Sequence, residues 1–194
     1  MAEHNFYGMV SRMKYIARWG LMRNNRTENL SEHALEVAMI AHGLGAVRNR
    51  LYGGRVDLGQ LALCAIYHDA SEIITGDLPT PVKYYNDEIR GAYKQVERIA
   101  DERLLGMLPE ELRPDFACYF EPFADPEVEQ LVKAADKLSA LAKCIEEEKS
   151  GNTEFAPAKA AQERALRQMR LPEVDYFLEK LMPGYYRSLD EMEG

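Results

Sequence analysis

Residues 61–72, LALCAIYHDASE, run seven apolar or aromatic side chains straight into His68 and Asp69, with Glu72 close behind. An apolar run of this kind, inside a longer helical pattern, reads as a buried helix. An imidazole and a carboxylate at the end of a buried helix are costly to desolvate unless something compensates them, and a metal ion is one such compensation. Glu72 stands four residues after His68 and three after Asp69, so a continuous helix would set all three on one side. Two potential ligands and a potential proton acceptor would then share one space. Buried charge more often signals pairing than function, so the doublet alone does not decide.

Two further polar residues stand on helices of their own. Residues 31–50 carry a helical pattern with Leu35, Ala38, Met39 and Leu44 marking its apolar side. Asn29 or Ser31 can cap it, and Glu32 stands at the capping-box offset from Asn29. His33 lies in the first turn. His42 is nine residues on, and nine steps of about 100° carry it to the opposite side, which leaves His33 as the ligand candidate of this helix. Taken singly, His33 also suits an ordinary helix start. Pro126 fits a first helical position and opens a patterned helix to residue 149, with Val128, Leu131, Val132, Ala135, Leu138, Ala142 and Ile145 as its stripe. Asp136 sits beside that stripe and calls for a partner, which Lys133 or Lys137 could supply at the surface. After Glu72, Gly76, Pro79 and Pro81 exclude a regular helix through residues 73–87. That segment keeps Thr75, Asp77, Thr80 and Lys83 near the His-Asp end, as a substrate wall or as a plain connector.

The elements that must position these residues are all helical. Residues 5–18 place Phe6, Met9, Val10, Met13 and Ile16 at helical spacing, with Arg12, Lys14 and Arg18 among them and Trp19-Gly20 closing the segment. A polar, Asn-rich loop follows. Tyr52-Gly53-Gly54 form a turn, and Asp57 begins the helix that holds the His-Asp pair. Residues 87–107 read as a charged helix with Ile89, Tyr93, Val96, Ile99, Ala100 and Leu104 inward; a short helix follows Pro109, and two more span 157–170 and 172–181. The acidic tail RSLDEMEG is expected to fray. There is no internal repeat and no convincing strand pair. The expectation is one all-α domain over residues 1–194, an irregular bundle of roughly seven to nine helices.

Composition narrows the function. A formal net charge of −8 argues against a broad footprint on nucleic acid, which needs clustered Lys and Arg. Cys64, Cys118 and Cys144 are odd in number and widely spaced, without CxxC, which fits neither a disulfide framework nor a thiolate zinc site. Such cysteine usage suits a reducing cytoplasm. The N-terminal residues lack the apolar core of a signal peptide, and no apolar run approaches the ~20 residues of a membrane span.

Together, His33, then His68-Asp69, then Asp136 form a pattern that resembles the HD-domain superfamily of metal-dependent phosphohydrolases, whose signature is H…HD…D on an all-α core. The segments RWGLMRNNRTENLSEH and IYHDASEIITGDLPTPVKYYN look like the bacterial 5′-deoxynucleotidases of that superfamily, and the similarity extends through DKLSALAKCIEE around Asp136. No motif position departs from it.

The resemblance implies one divalent ion held by His33, His68, Asp69 and Asp136. Two imidazoles and two carboxylates suit Co²⁺, Mn²⁺, Zn²⁺ or Fe²⁺ better than a thiolate-loving ion. Only His4 and His42 remain as further histidines, so a second metal is not expected. Glu72 is assigned to orient and deprotonate the attacking water. By similarity, Arg18 grips the phosphate, Trp19 packs against the sugar, Asp77 binds its 3′-hydroxyl, and Thr80 completes the wall, with His33, Asp69 and Asp136 also facing the substrate. The implied reaction is hydrolysis of a deoxynucleoside 5′-monophosphate by a cytoplasmic homodimer. The rivals are another HD chemistry, such as a triphosphatase or a cyclic-nucleotide or alarmone hydrolase, and a non-catalytic nucleotide sensor.

Overall fold

The computed structural model describes residues 4–83, 85–120 and 123–193, apart from the side chain of Thr80. Among them run eleven α-helical segments and no strand. One isolated antiparallel bridge joins Ala17 and Asn29. The expected seven to nine helices undercount because several segments are single turns that no hydrophobic period can register.

Helix α1 (Phe6–Val10) passes into a 3₁₀ turn, Ser11–Tyr15. The helix expected to reach residue 18 stops there, because Ile16 is extended and its carbonyl accepts from Leu30 N–H at 2.9 Å. Arg18 N–H in turn donates to Glu28 O at 3.0 Å. These bonds pinch together the two ends of the loop that carries Arg18 and Trp19.

Helix α2 (Leu30–Leu51) starts on a complete capping box: Asn29 Oδ1 accepts from Ser31 and Glu32 N–H, and Glu32 Oε2 accepts from Asn29 N–H. Its buried face is Leu30, Ala34, Val37, Ala38, Ile40, Ala41 and Leu44. Leu35 and Met39, expected inward, are exposed. They stand four apart on an open edge, where they line a groove with Ala142, Lys143 and Glu146 of a later long helix; α2 packs mainly against that helix and α3 (Leu58–Tyr67). Asp57 caps α3 by accepting from Gln60 N–H at 2.9 Å. Gly45 lets α2 and α3 close up: a Cβ there would stand 2.8 Å from the Cδ2 atoms of Leu58 and Leu61.

The continuous helix expected from Asp57 to Glu72 is broken. α3 ends at Tyr67, and residues 68–71 turn through Ala70 N–H to Tyr67 O (2.9 Å) and Glu72 N–H to Asp69 O (3.0 Å). Glu72 then opens the single-turn α4 (Glu72–Thr75), and Thr80–Lys83 form another turn of helix, α5, inside the segment expected to be irregular. The break is fixed from below. Ala70 is fully buried among Phe6, Leu104, Leu108 and Phe120, with Tyr67 and Phe116 packed around them. This satellite core joins α1 and α6 (Asp87–Gly106) to the turn that presents His68 and Asp69. On α6, Ala100 and Leu104 are buried as expected, whereas Ile89, Val96 and Ile99 are exposed.

After a 3₁₀ turn and α7 (Arg113–Ala117) comes α8 (Pro126–Lys149), whose whole expected stripe is buried. It is the later long helix against which α2 packs. Helices α9 (Ala156–Met169) and α10 (Pro172–Tyr176) complete the main core, and the tail expected to fray forms α11 (Leu189–Glu193), a turn of exposed helix. Cys64 and Cys144 are buried free thiols. No helix among the described residues is long and apolar enough to cross a membrane.

Candidate metal centre

Three helical elements converge on one point. α2 brings His33 from its first turn, the break after α3 brings His68 and Asp69, and α8 brings Asp136. One ligand-type atom from each lies within 4.8 Å of the others. His33 Nε2 is 3.2 Å from Asp136 Oδ1 and 3.5 Å from Asp69 Oδ2, and His68 Nε2 is 3.1 Å from Asp69 Oδ2. Asp136 therefore finds its partner across the helix pair. Lys133, a possible surface partner, pairs instead with Glu129. His42 is exposed and far round the helix, as its spacing predicted.

The donor chemistry fits a divalent cation. Both Nε2 atoms are buried, and neither makes an aligned hydrogen bond. Both Nδ1 atoms are engaged: His68 with Ala65 O at 2.7 Å and His33 with Ser139 Oγ at 3.1 Å. Ring nitrogens tied back on one side and turned toward carboxylates on the other are how imidazoles are presented to a metal that those carboxylates would share. Two neutral nitrogens and two carboxylate oxygens match an N/O-binding transition ion.

The electrostatics reflect acids crowded together. Burial pushes Asp136 up, but its hydrogen bond with His33 and the imidazole charges outweigh this and hold it down at about 2. Asp69 is likewise held well below the carboxylate range, by His68, His33 and Arg18 against the effect of burial. Burial opposes a charge on His68, yet Asp69 and Asp136 raise it to about 9. Glu72 moves the other way. Burial first, then the charges of Asp69 and Asp77, push its carboxyl up to about 9. Its Oε2 is buried without a partner.

A strap formed by the 18–29 loop roofs this cluster. Arg18 donates to Asp69 Oδ2 (3.3 Å) and to Glu28 Oε2 (3.2 Å), and its third nitrogen stands 3.9 Å from Asp136 Oδ1. Trp19 Nε1 donates to the same Glu28 oxygen at 2.9 Å, and its ring packs on Phe155 with centroids 5.3 Å apart. Trp19 has φ 60°, a left-handed backbone that costs a bulky residue ~1–2 kcal/mol. Asp77 Oδ2 accepts the Trp19 N–H at 3.1 Å and so secures that conformation. The side chain of Thr80, expected on this wall, lies outside the described residues.

The strap is fastened below by Glu147 of α8. Its two oxygens accept from Asn25 N–H (2.9 Å), Arg26 N–H (3.1 Å), Asn152 Nδ2 (2.8 Å) and the buried Lys143 ammonium. Lys143 also donates to Arg26 O. Glu28, Glu36, Ser139 and Glu147 were not singled out from the sequence. The Asn-rich loop was the available signal, since its backbone donors had to be satisfied somewhere.

The fold and the centre define a class. The chain shares its architecture with an HD-domain phosphohydrolase from Listeria innocua, with a TM-score of 0.82 at 24% identity over 98% of this chain and 92% of that one. A cyanophage S-2L HD phosphohydrolase, solved with dA and one catalytic Zn²⁺ ion, aligns at a TM-score of 0.62 and 21% identity over 91% of this chain and 96% of its own. The fold is that of the HD-domain phosphohydrolases. Within that class, residues 5–185 match the family described as 5′-deoxynucleotidase YfbR-like. The chain is also 51% identical to the 5′-deoxynucleotidase YfbR of Escherichia coli, over 99% of this chain and 97% of that protein. It belongs to the YfbR-like 5′-deoxynucleotidase family.

Proposed function

We propose that this protein is a metal-dependent 5′-deoxynucleotidase, releasing phosphate from deoxynucleoside 5′-monophosphates, with residues 1–194 acting as one HD-type domain. The observation that carries the reading is the meeting of His33, His68, Asp69 and Asp136, with both imidazole Nε2 atoms buried and facing the two carboxylates, directly beside Arg18. His33, His68, Asp69 and Asp136 would hold one divalent ion, Co²⁺ or Mn²⁺ being suited to the donor set. When bound, such an ion supplies Lewis acidity at a phosphoryl oxygen.

The chain supplies the rest. Arg18, whose guanidinium edge reaches over Asp69 and Asp136, would grip the phosphate through two oxygens, which its fork of N–H donors supports. Glu72 has a buried, unpartnered carboxylate oxygen and would accept the proton of the attacking water, a role worth ~10²–10⁴ in rate. The Asp69 and Asp77 charges, which add to burial in raising its carboxyl, would be offset by a divalent cation held at the centre, leaving Glu72 ionised for that role. The new bond joins the water oxygen to phosphorus, the bond from phosphorus to O5′ breaks, and the departing oxygen takes up a proton in exchange. Trp19 walls the sugar, and Asp77 binds the 3′-hydroxyl with the carboxylate valence left beside its bond to Trp19 N–H. Deoxyribose selectivity and a homodimer rest on family membership. A cytoplasmic location rests on the free thiols, and the absence of a nucleic-acid partner on the acidic balance.

Turnover of dAMP, AMP and dATP with added Co²⁺ or Mn²⁺ tests the reading. Rapid release of phosphate from dAMP, with AMP and dATP poor, is expected. AMP cleaved as fast as dAMP overturns the selectivity, and preference for dATP points to a triphosphatase.

A further inference from the structure

Ser139 and Glu36 lie behind the centre rather than in it. His33 and Glu36 are three residues apart on α2, and Ser139 is three residues beyond Asp136 on α8, so the two pairs interlock across the helix interface. Ser139 is fully buried. Its Oγ stands 3.1 Å from His33 Nδ1 and donates to Glu36 Oε2 at 2.6 Å. An ionised carboxylate has no proton to return, so the hydroxyl is the donor of that second bond. A serine hydroxyl has one proton to give. With that proton committed to Glu36, the oxygen can only accept from His33, which requires a proton on Nδ1 and, in the neutral ring, leaves the lone pair on Nε2.

We infer that Ser139, oriented by Glu36, is a positioning residue that fixes His33 as the Nδ1–H tautomer and so presents its Nε2 to the metal. His68 reaches the same state through the Ala65 carbonyl, an acceptor built into α3. His33 cannot, because it lies in the first turn of its helix and its acceptor comes from another element. The inference rests on the proposed ligand role of His33 for its consequence; the Nδ1 proton itself follows from the Ser139 contact, whereas Nε2, 3.2 Å from Asp136 and 3.5 Å from Asp69, can also carry a proton when no metal is bound.

Two measurements separate these points. In metal-free protein labelled with ¹⁵N-histidine, long-range ¹H–¹⁵N correlation reads directly which ring nitrogens carry a proton, whatever Asp69 and Asp136 impose on Nε2, with His33→Gln to assign the signal. The parent should show His33 protonated at Nδ1, and Ser139→Ala should lose that preference. Calorimetric titration with Co²⁺ should then show affinity ~10–100-fold weaker in both Ser139→Ala and Glu36→Gln, the range usual for groups that orient a ligand. Glu36 is only half-buried, so its variant tests the relay without a large packing change. A parent His33 with no proton on Nδ1, or both variants binding Co²⁺ within threefold of the parent, overturns the inference. A parent that binds no Co²⁺ sinks the ligand reading instead, while the tautomer measurement still decides the relay.

Discussion

Removing the Glu147 carboxylate should release the strap that carries Arg18 and Trp19. In Glu147→Ala, the Lys143 ammonium keeps its bond to Arg26 O but loses its counter-charge, and the amides of Asn25 and Arg26 lose their acceptor. Lys143 is only 3% exposed, so water cannot replace what is lost. Breaking one side of a buried ion pair costs ~3–5 kcal/mol. At ~2–4 °C per kcal/mol for a chain of this size, the melting temperature should fall by ~6–20 °C. Loss of register in the strap should also lower kcat/KM for dAMP by ~10²-fold, the scale of a misplacement of about 1 Å. Replacing both partners, Lys143→Met with Glu147→Leu, removes the stranded charge and should recover much of the stability. It cannot recover activity, because the two strap amides remain without acceptors. Acid offers an independent check. Burial raises the Glu147 carboxyl, but Lys143, the Asn25 and Arg26 amides and Asn152 outweigh it and hold it at about 2, against an ordinary 4.5. The unfolded chain therefore takes the proton first. Stabilisation is complete above pH 4.5 and drains away as pH falls toward 2, a component that Glu147→Ala should lack. A Glu147→Ala protein that melts within about 2 °C of the parent, less than ~1 kcal/mol on the same scale, with unchanged kcat/KM, would refute the reasoning.

Three other substitutions probe separate links. Glu72→Ala should bind Co²⁺ with near-parental affinity while kcat falls by ~10²–10⁴, and full turnover would remove Glu72 from the mechanism. Gly45→Leu pushes a side chain into the Leu58 and Leu61 methyls and should destabilise by ~1–3 kcal/mol in urea melts; no loss would mean that α2 and α3 can slide apart freely. Asn29→Ala removes the cap of the helix that begins beside His33 and should cost ~1 kcal/mol, with an unchanged urea midpoint contradicting the capping assignment.

Why some of this could be read from the sequence and some could not follows from which distances a helix fixes. His33, Asp136 and the exposed His42 were placed correctly because a helical register decides which face a side chain takes, and α2 and α8 are long enough for the stripe to be unambiguous. The same reasoning failed between His68 and Glu72. Spacing put them on one helix face, yet a turn intervenes, held by Ala70 in a satellite core whose partners lie far away in sequence at Phe6, Leu104 and Phe120. It also turned Leu35 and Met39 inward, since size outweighed the small alanines that pack α2 against α3 and α8. The roles of Arg18, Trp19 and Asp77 came from resemblance alone: spacing gave Asp77 only as a polar group of a wall or connector, and a loop has no period to read further. The residues behind the site escaped for a different reason. Lys143 and Glu147, four apart, have the spacing of a solvated surface pair, and Ser139 reads as a small residue on a buried stripe. What distinguishes them is that the 18–29 strap and the start of α2 close over that end of α8, and polar groups trapped there must satisfy one another completely. The sequence thus displays the atoms that would touch a ligand, whereas the groups that aim those atoms become visible only once burial has removed their alternatives.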